Sequence, residues 1–472
     1  MNETEKLREE SRRATAKADI MRMLTTADER LKRDSSDAEA MFIAGTAFLQ
    51  AGQEGVACLV LNAARCATQD KKALGATWNN IGCALQEYQP EEAYKAFLKA
   101  VSYGHDEEHI YDNLCNVASQ IGRHAEALEF ADKASADLTA YNRSFALMHL
   151  GRWEEAWKAY ATSVGRPCRP LTERNYDLPR WDGKKPGKVI IHGEQGVGDE
   201  IMFMSMCPKD FDGVIECNPR NAGLFARSFP MAKVYGTLLD GYLEWPLKER
   251  ADYHLEMGGL GEYFAPHPFA SRAFLSPDPA RVAASKAWLS SMGSARPIVG
   301  ISWTGGTWTT GRAKRSIPFE LIARLIESNP EVTFVCLEYE DRQEELAAYP
   351  QVLNPHWATK KGADIDELAA LLSSLDLVIT ATNSTVDLAG ALGVPCWALV
   401  NEHPQWRYSD AAGHDSMWFY KSVRCFRQQS RDNGRWNRII GEVGIALDDM
   451  LTPAPVLNGH DATPDNDGWV SC

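Results

Sequence analysis

The sequence lacks any Cys-x-x-Cys pair; its eleven cysteines, Cys58, Cys66, Cys83 and Cys115 among them, are scattered. That absence argues against a structural zinc site and fits reduced thiols in a cytoplasmic compartment. No apolar run approaches the roughly 18–20 residues that span a bilayer, so no transmembrane segment is expected. The opening Met-Asn-Glu-Thr-Glu-Lys has no apolar core of the kind a secretory signal needs. Cations are in deficit too: 50 Lys and Arg stand against 64 Asp and Glu, a formal net charge of −14. Such a chain lacks the basic field that draws nucleic acid or an anionic membrane. Neither glycine (35) nor proline (23) is in excess, which excludes a collagen-like or wholly disordered chain. What is present is 472 residues, 44% hydrophobic and 24% charged, too long for one core. The expectation is a soluble, cytoplasmic, multidomain protein.

Self-similarity accounts for the first third. Around Trp78 the chain reads Trp78, Ile81, Gly82, Leu85, Ala93, Phe97, Ala100; around Tyr111 it reads Tyr111, Leu114, Cys115, Ala118, Ala127, Ala131, Ala134. Weaker copies begin near Met41 and Tyr141. Small residues let paired helices approach closely, aromatics fill the wedge between them, and Gly122-Arg123-His124 and Gly151-Arg152-Trp153 break one helix and start the next. A period of about 34 residues with this pattern resembles the tetratricopeptide repeat. The repeats are expected over 36–165, after a charged helical extension at 1–35; they either bind a peptide or partner protein in their groove or only pack on the rest of the chain. His105-Asp-Glu-Glu108-His109 matches a zinc-peptidase pattern, but its acids suit the positive end of the helix that follows, and no metal site is expected.

Proline density and lost periodicity mark a linker at 166–187, in which Trp181 is a candidate anchor, and a disordered tail at 452–472. Between them, strands alternate with helices: 188–192, 213–217 and 251–256, then a fresh start at 297–302 followed by 331–337, 375–380 and 395–400. Parallel, doubly wound sheets follow from that alternation. The fresh start implies two halves, 188–290 and 296–450, with ligand in the cleft at the strand C-termini.

Three loops carry candidate chemistry. Gly193-x-x-Gly196-x-Gly198-Asp199 is neither a dinucleotide fingerprint nor a P-loop; Asp199 either overlooks the cleft or caps a helix. Glu216 offers a weak parallel to a ribose-binding acid, the basis of a distant oxidoreductase alternative. Arg312, Lys314 and Arg315 stand beside glycines and hydroxyls, a cation cluster suited to a pyrophosphate or a solvated run. Asn383, Ser384 and Thr385 open a small-residue helix whose free N–H groups suit an anion.

Together the Gly193–Asp199 loop, the Lys314-Arg315-Ser-Ile-Pro segment and the run from Asn383 to Pro395 resemble the heptosyltransferase-type GT-B glycosyltransferases. More closely, they resemble members carrying an N-terminal tetratricopeptide array, whose ending is similar to Trp406-Arg407-Tyr408, Trp418, Arg424 to Gln428 and Trp436. The resemblance implies an all-α tetratricopeptide superhelix followed by a GT-B fold of two Rossmann-like halves. It implies inverting, metal-independent transfer, without a cofactor, from a nucleotide diphosphate sugar to a protein or glycan acceptor recruited by the repeats. Asp199 falls at the position of the general base, with Gly196 and Gly198 in the acceptor loop. Lys314, Arg315, Asn383, Ser384 and Thr385 fall on the donor diphosphate, and Glu338 or Glu340 near the nucleoside. The chain departs from the family in having Thr382 and Asp387 where an acid and a histidine are usual. Those departures favour the alternative of a non-catalytic scaffold with a degenerate or nucleotide-sensing GT-B domain.

Overall fold

A computed structural model of the chain describes residues 19–166, 178–237, 249–264, 273–295, 297–306, 311–360, 362–410 and 415–451, with Leu7, Glu10, Arg169, Tyr176 and Gly413. The tail expected at 452–472, most of 1–18 and much of the 166–187 linker lie outside the described residues.

The repeats form four antiparallel helix pairs: Ala38–Gln50 with Glu54–Ala67, Lys71–Leu85 with Pro90–Ser102, Glu108–Gln120 with His124–Ala131, and Ala136–His149 with Trp153–Thr162. Within three of them the turn holds a glycine at positive φ, Gly52 (68°), Gly122 (78°) and Gly151 (70°), a conformation a side chain resists. At the crossing of the second pair, a Cβ on Gly82 would lie 2.6 Å from the Phe97 ring. Successive pairs are stitched at the repeat spacing: Asn80 Nδ2 donates to Thr46 Oγ1 at 2.9 Å, and Asn142 Nδ2 to Asp112 Oδ1 at 2.8 Å. An additional helix, Ile20–Arg33, packs on the first pair, with Arg30 bound to Asp37 (2.9 Å) and Glu39 (2.8 Å).

Two parallel sheets follow. The first orders its strands β3-β2-β1-β4, from β1 (Val189–His192), β2 (Val214–Cys217), β3 (Lys233–Gly236) and β4 (Tyr253–Glu256). The second runs β6-β5-β7-β8-β9, from β5 (Ile298–Ser302), β6 (Thr333–Cys336), β7 (Leu377–Ala381), β8 (Cys396–Val400) and β9 (Val423–Arg427). The pairings between these strands are all parallel, with Ile190 opposite Val214 and Ser302 opposite Thr380. Their buried apolar runs need helices on the faces to shield them. This is a tetratricopeptide array joined to a GT-B pair of Rossmann-like halves. Two strands, β3 and β9, were not among those expected.

The array is not a separate body. Trp153 stacks on Trp418 with centroids 4.1 Å apart, and Trp406 lies flat against Phe145 (6.4 Å) and edge-on to Trp157 (5.8 Å). A single buried cluster runs from Phe97 through Trp157 and Ile191 to Val378. Trp181 packs on Tyr263 and Phe264, and its backbone N–H donates to His254 O at 2.8 Å. Among the described residues no helix is long and apolar enough to cross a membrane.

Along the same seam His124 and His149 stack at 4.0 Å, with His403 against Gly122. Burial, reinforced by the other rings, pushes His124 down to about 4 and His149 to about 3. Both rings are therefore neutral when folded, whereas the unfolded chain takes up protons below pH 6.5. Their contribution is complete above pH 6.5 and is lost as pH falls towards 4. The melting midpoint should drop across that window, and His149→Asn should flatten the drop; an unchanged slope would remove the pair as its cause.

Candidate functional site

The glycine loop leaves β1 and is fixed before the helix begins. Gly193 N–H donates to Glu216 O at 2.8 Å. The Glu194 carboxylate is buried, accepts from Gly258 N–H at 2.8 Å and from the Tyr160 hydroxyl at 3.2 Å, and pairs with Arg169. Burial raises its pKa against the pull of Arg169. Gln195 Nε2 donates to the same Tyr160 hydroxyl at 2.7 Å. Tyr160 belongs to the last repeat helix, so the array itself aims this loop.

The helix Val197–Met204 follows the loop directly. Gly196 is the N-cap, and Asp199, in the first turn, accepts from Gly196 N–H at 3.2 Å. Asp199 is therefore not the N-cap itself: one carboxylate oxygen accepts from the N-cap N–H, and the other pairs with Arg407 across the cleft. Arg407 also reaches Asp387 Oδ2 at 3.2 Å. An ion bridge thus joins the first half to the second. Arg407 and Asp387 are buried, while the Asp199 side chain keeps 25% of its surface. Burial is the main cause that pushes Asp387 up to about 7; Arg407 opposes it and Asp199 adds to it. Around this bridge Thr382 Oγ1, Asp387 Oδ1 and Arg407 Nε are buried without a hydrogen-bond partner among the described residues.

The helix Ser384–Leu392 faces the glycine-loop helix. Asn383 caps it, accepting from Thr385 N–H at 2.9 Å and donating to Ser302 Oγ (3.2 Å) and Thr304 O (3.0 Å). Ser384 is exposed and Thr385 buried. A Cβ on Gly198 would lie 2.9 Å from Ser384 Cβ and 3.2 Å from its Cα. Gly198→Ala should therefore force the halves apart and destabilise by about 1–3 kcal/mol, read from denaturant midpoints; a neutral substitution would mean the helices are not held in this contact.

The cation cluster does not act as one unit. Arg315 is buried, and its Nη1 donates to Thr382 O at 2.9 Å; burial lowers its pKa. Arg312 is held by Glu340, two bonds of 2.6 Å, and Lys314 lies on the surface towards Glu87 and Glu91 of the repeats. Glu338 is buried, and one oxygen accepts from Ser302 Oγ, Trp303 N–H and Thr304 N–H at 2.7–2.9 Å, which shapes the loop after β5. Glu340 keeps 41% of its side chain exposed. Glu216 is buried in β2 and accepts from the Tyr176 hydroxyl, so it does not present its carboxylate to a nucleotide as a ribose-binding acid would. His105 and His109 meet edge to face at 6.1 Å, His105 before the helix and His109 in it. Among the described residues no group of three or more His, Cys, Asp or Glu could hold a metal ion. Sequence reasoning gave no site role to Arg407, Arg169 or Tyr160; Arg407 had a signal only in the resemblance of the Trp406-Arg407-Tyr408 segment.

Fold and site define a tetratricopeptide protein whose repeats are fused to a two-sheet α/β cleft. Protein FlbA of Caulobacter vibrioides is 30% identical over 442 residues, an alignment taking in 79% of this chain and 72% of that protein. The chain belongs to the family of that protein. No model of a known protein family matches. Among solved structures, E. coli ADP-heptose lps heptosyltransferase II matches 56% of this chain and 100% of its own, at 13% identity and a TM-score of 0.41. A Thermobaculum terrenum O-GlcNAc transferase mutant matches 94% of this chain and 89% of its own, at 13% identity and a TM-score of 0.34.

Proposed function

We propose that the chain is an inverting, metal-independent glycosyltransferase that moves a sugar from a nucleotide diphosphate sugar to a protein or glycan acceptor. The observation that carries this reading is the cleft itself. Asp199 from one half meets Arg407, Arg315 and a helix N-terminus from the other, at the carboxyl ends of two parallel sheets, with buried polar atoms left unsatisfied there. Displacement at an anomeric carbon needs a base on one side and a stabilised diphosphate on the other. Asp199, partly open to solvent, is the base on the acceptor hydroxyl, and Gly196 and Gly198 let the acceptor approach. Arg315, Asn383, Ser384 and Thr385 hold the diphosphate, with Lys314 at the rim. Glu340 is the better placed of the two acids for a nucleoside, since Glu338 is occupied by its own loop. The repeat groove recruits the acceptor.

The test is thermal stabilisation of the full chain by UDP, ADP, GDP and CDP and their sugar conjugates, followed by a hydrolysis assay on any ligand that binds. A ligand at about 100 times its Kd adds about 2.7 kcal/mol to stability. No shift with any of them would overturn the donor site. The ion pair already occupying Asp199 favours a second reading, a scaffold that binds nucleotide without transferring sugar; it gives stabilisation with no turnover.

A further inference from the structure

Four charged groups share the cleft: Asp199, Arg315, Asp387 and Arg407. Arg407 bridges the two carboxylates, and Arg315, anchored on Thr382 O, lies close enough to feel both Arg407 and Asp199. Two guanidinium groups beside the N-terminus of the Ser384–Leu392 helix make a strong setting for an oxyanion. In its place the second half offers Asp387, and the fit is poor. Asp387 reaches the guanidinium through one oxygen at 3.2 Å, while its other oxygen and Arg407 Nε are buried without a partner. Each such orphan costs the desolvation of the group. A ligand supplying acceptors to Arg407 would remove that defect.

We propose that Arg407 is an exchangeable anchor for the donor's diphosphate and that Asp387 is the group it releases; this rests on the donor-sugar reading above. On binding, the phosphate oxygens take the guanidinium. The Asp387 carboxyl, left buried without its cation, takes a proton from solvent, and as a neutral acid its O–H can donate to phosphate. Asp387 therefore ceases to repel the very ligand it stands beside. The other groups around it are Asp199 and Arg407, the Tyr408 and Tyr420 hydroxyls and the Cys396 thiol. Burial raises those last three well above their ordinary values, so they stay neutral at working pH. Free Asp387 is pushed up to about 7, so proton uptake falls inside the accessible range. Since binding takes up a proton, affinity is highest below that value and falls by up to about tenfold per pH unit above it.

Calorimetric titration of UDP-glucose, UDP-N-acetylglucosamine, ADP-glucose and GDP-mannose at pH 6.0, 7.0 and 8.5 tests this, because their phosphodiester charge is constant over that range. The wild type should lose about tenfold in affinity between pH 7.0 and 8.5. Asp387→Asn should bind with no pH dependence. Arg407→Gln should bind at least about tenfold more weakly at pH 6.0, and Arg407→Lys, which keeps the charge without the fork, should fall between. Circular dichroism checks that each variant is folded; if Arg407→Gln is not, Asp387→Asn and Arg407→Lys still decide. A pH slope that survives in Asp387→Asn, a wild type with no slope, or Arg407 variants that bind like the wild type would overturn this inference and leave the donor reading standing. No binding by any folded form overturns both.

Discussion

Asp199→Asn is expected to cut sugar transfer by about 10²- to 10⁴-fold, the range a positioned general base supplies, with donor affinity changed far less. The substitution is close to a pure charge deletion. The Asn oxygen can still accept from Gly196 N–H, so the helix start survives, and Arg407 keeps Asp387 as a counter-ion. What disappears is the carboxylate on the first half that faces the arginines and keeps 25% of its surface. Comparing turnover with donor titration separates the two effects. Turnover equal to the wild type would remove Asp199 from the base role, whereas a loss of donor binding in parallel would make it a structural partner of Arg407 alone.

Trp406→Ala is expected to destabilise by about 3–5 kcal/mol, the cost of deleting a large buried aromatic. Trp406 is buried against Phe145, Trp157 and Phe419, two of them from the repeats and one from the second half. The next residue is Arg407, so the cavity opens beside the ion bridge, and catalysis should fall further than stability alone accounts for. Trp406→Phe, which keeps an apolar ring, should recover more than half of the stability. Urea unfolding followed by circular dichroism reads both. A second, independent transition in the wild type would contradict the continuous core and show the repeats unfolding alone.

The residue pattern carried the array and most of the sheets because both depend on local periods. Small residues recurring at the helix crossings reveal the pairs, and buried runs such as Ile298–Ser302 reveal strands. The edge strand β3 escaped because its residues are exposed or half-buried, and β9 because Arg424 and Arg427 break its apolar run. Arg312, Lys314 and Arg315 read as one cluster since they are adjacent in sequence. They lie in one short helix, but their partners differ: Arg312 turns to Glu340, Arg315 to Thr382 O and Lys314 towards the repeats. The Arg407 bridge spans 208 residues to Asp199, and Glu194 meets Arg169 and Tyr160 across a domain boundary. Pairings of that kind leave no period to read. Asp387 looked like an intruder because its sequence position shows the charge and not the arginine opposite.

The Tyr160 hydroxyl ends the repeat array and also begins the loop that carries Asp199. It accepts from Gln195 and donates to Glu194, whose carboxylate is pinned in turn to Gly258. In a tetratricopeptide spiral each repeat contacts only its neighbours, and the small rotation from one repeat to the next sets the winding. Here the final coil is bolted to the cleft, so a change in winding must either shear those bonds or carry the loop along. The last repeat and the loop that carries Asp199 thus share one fixed point, and neither can move without the other.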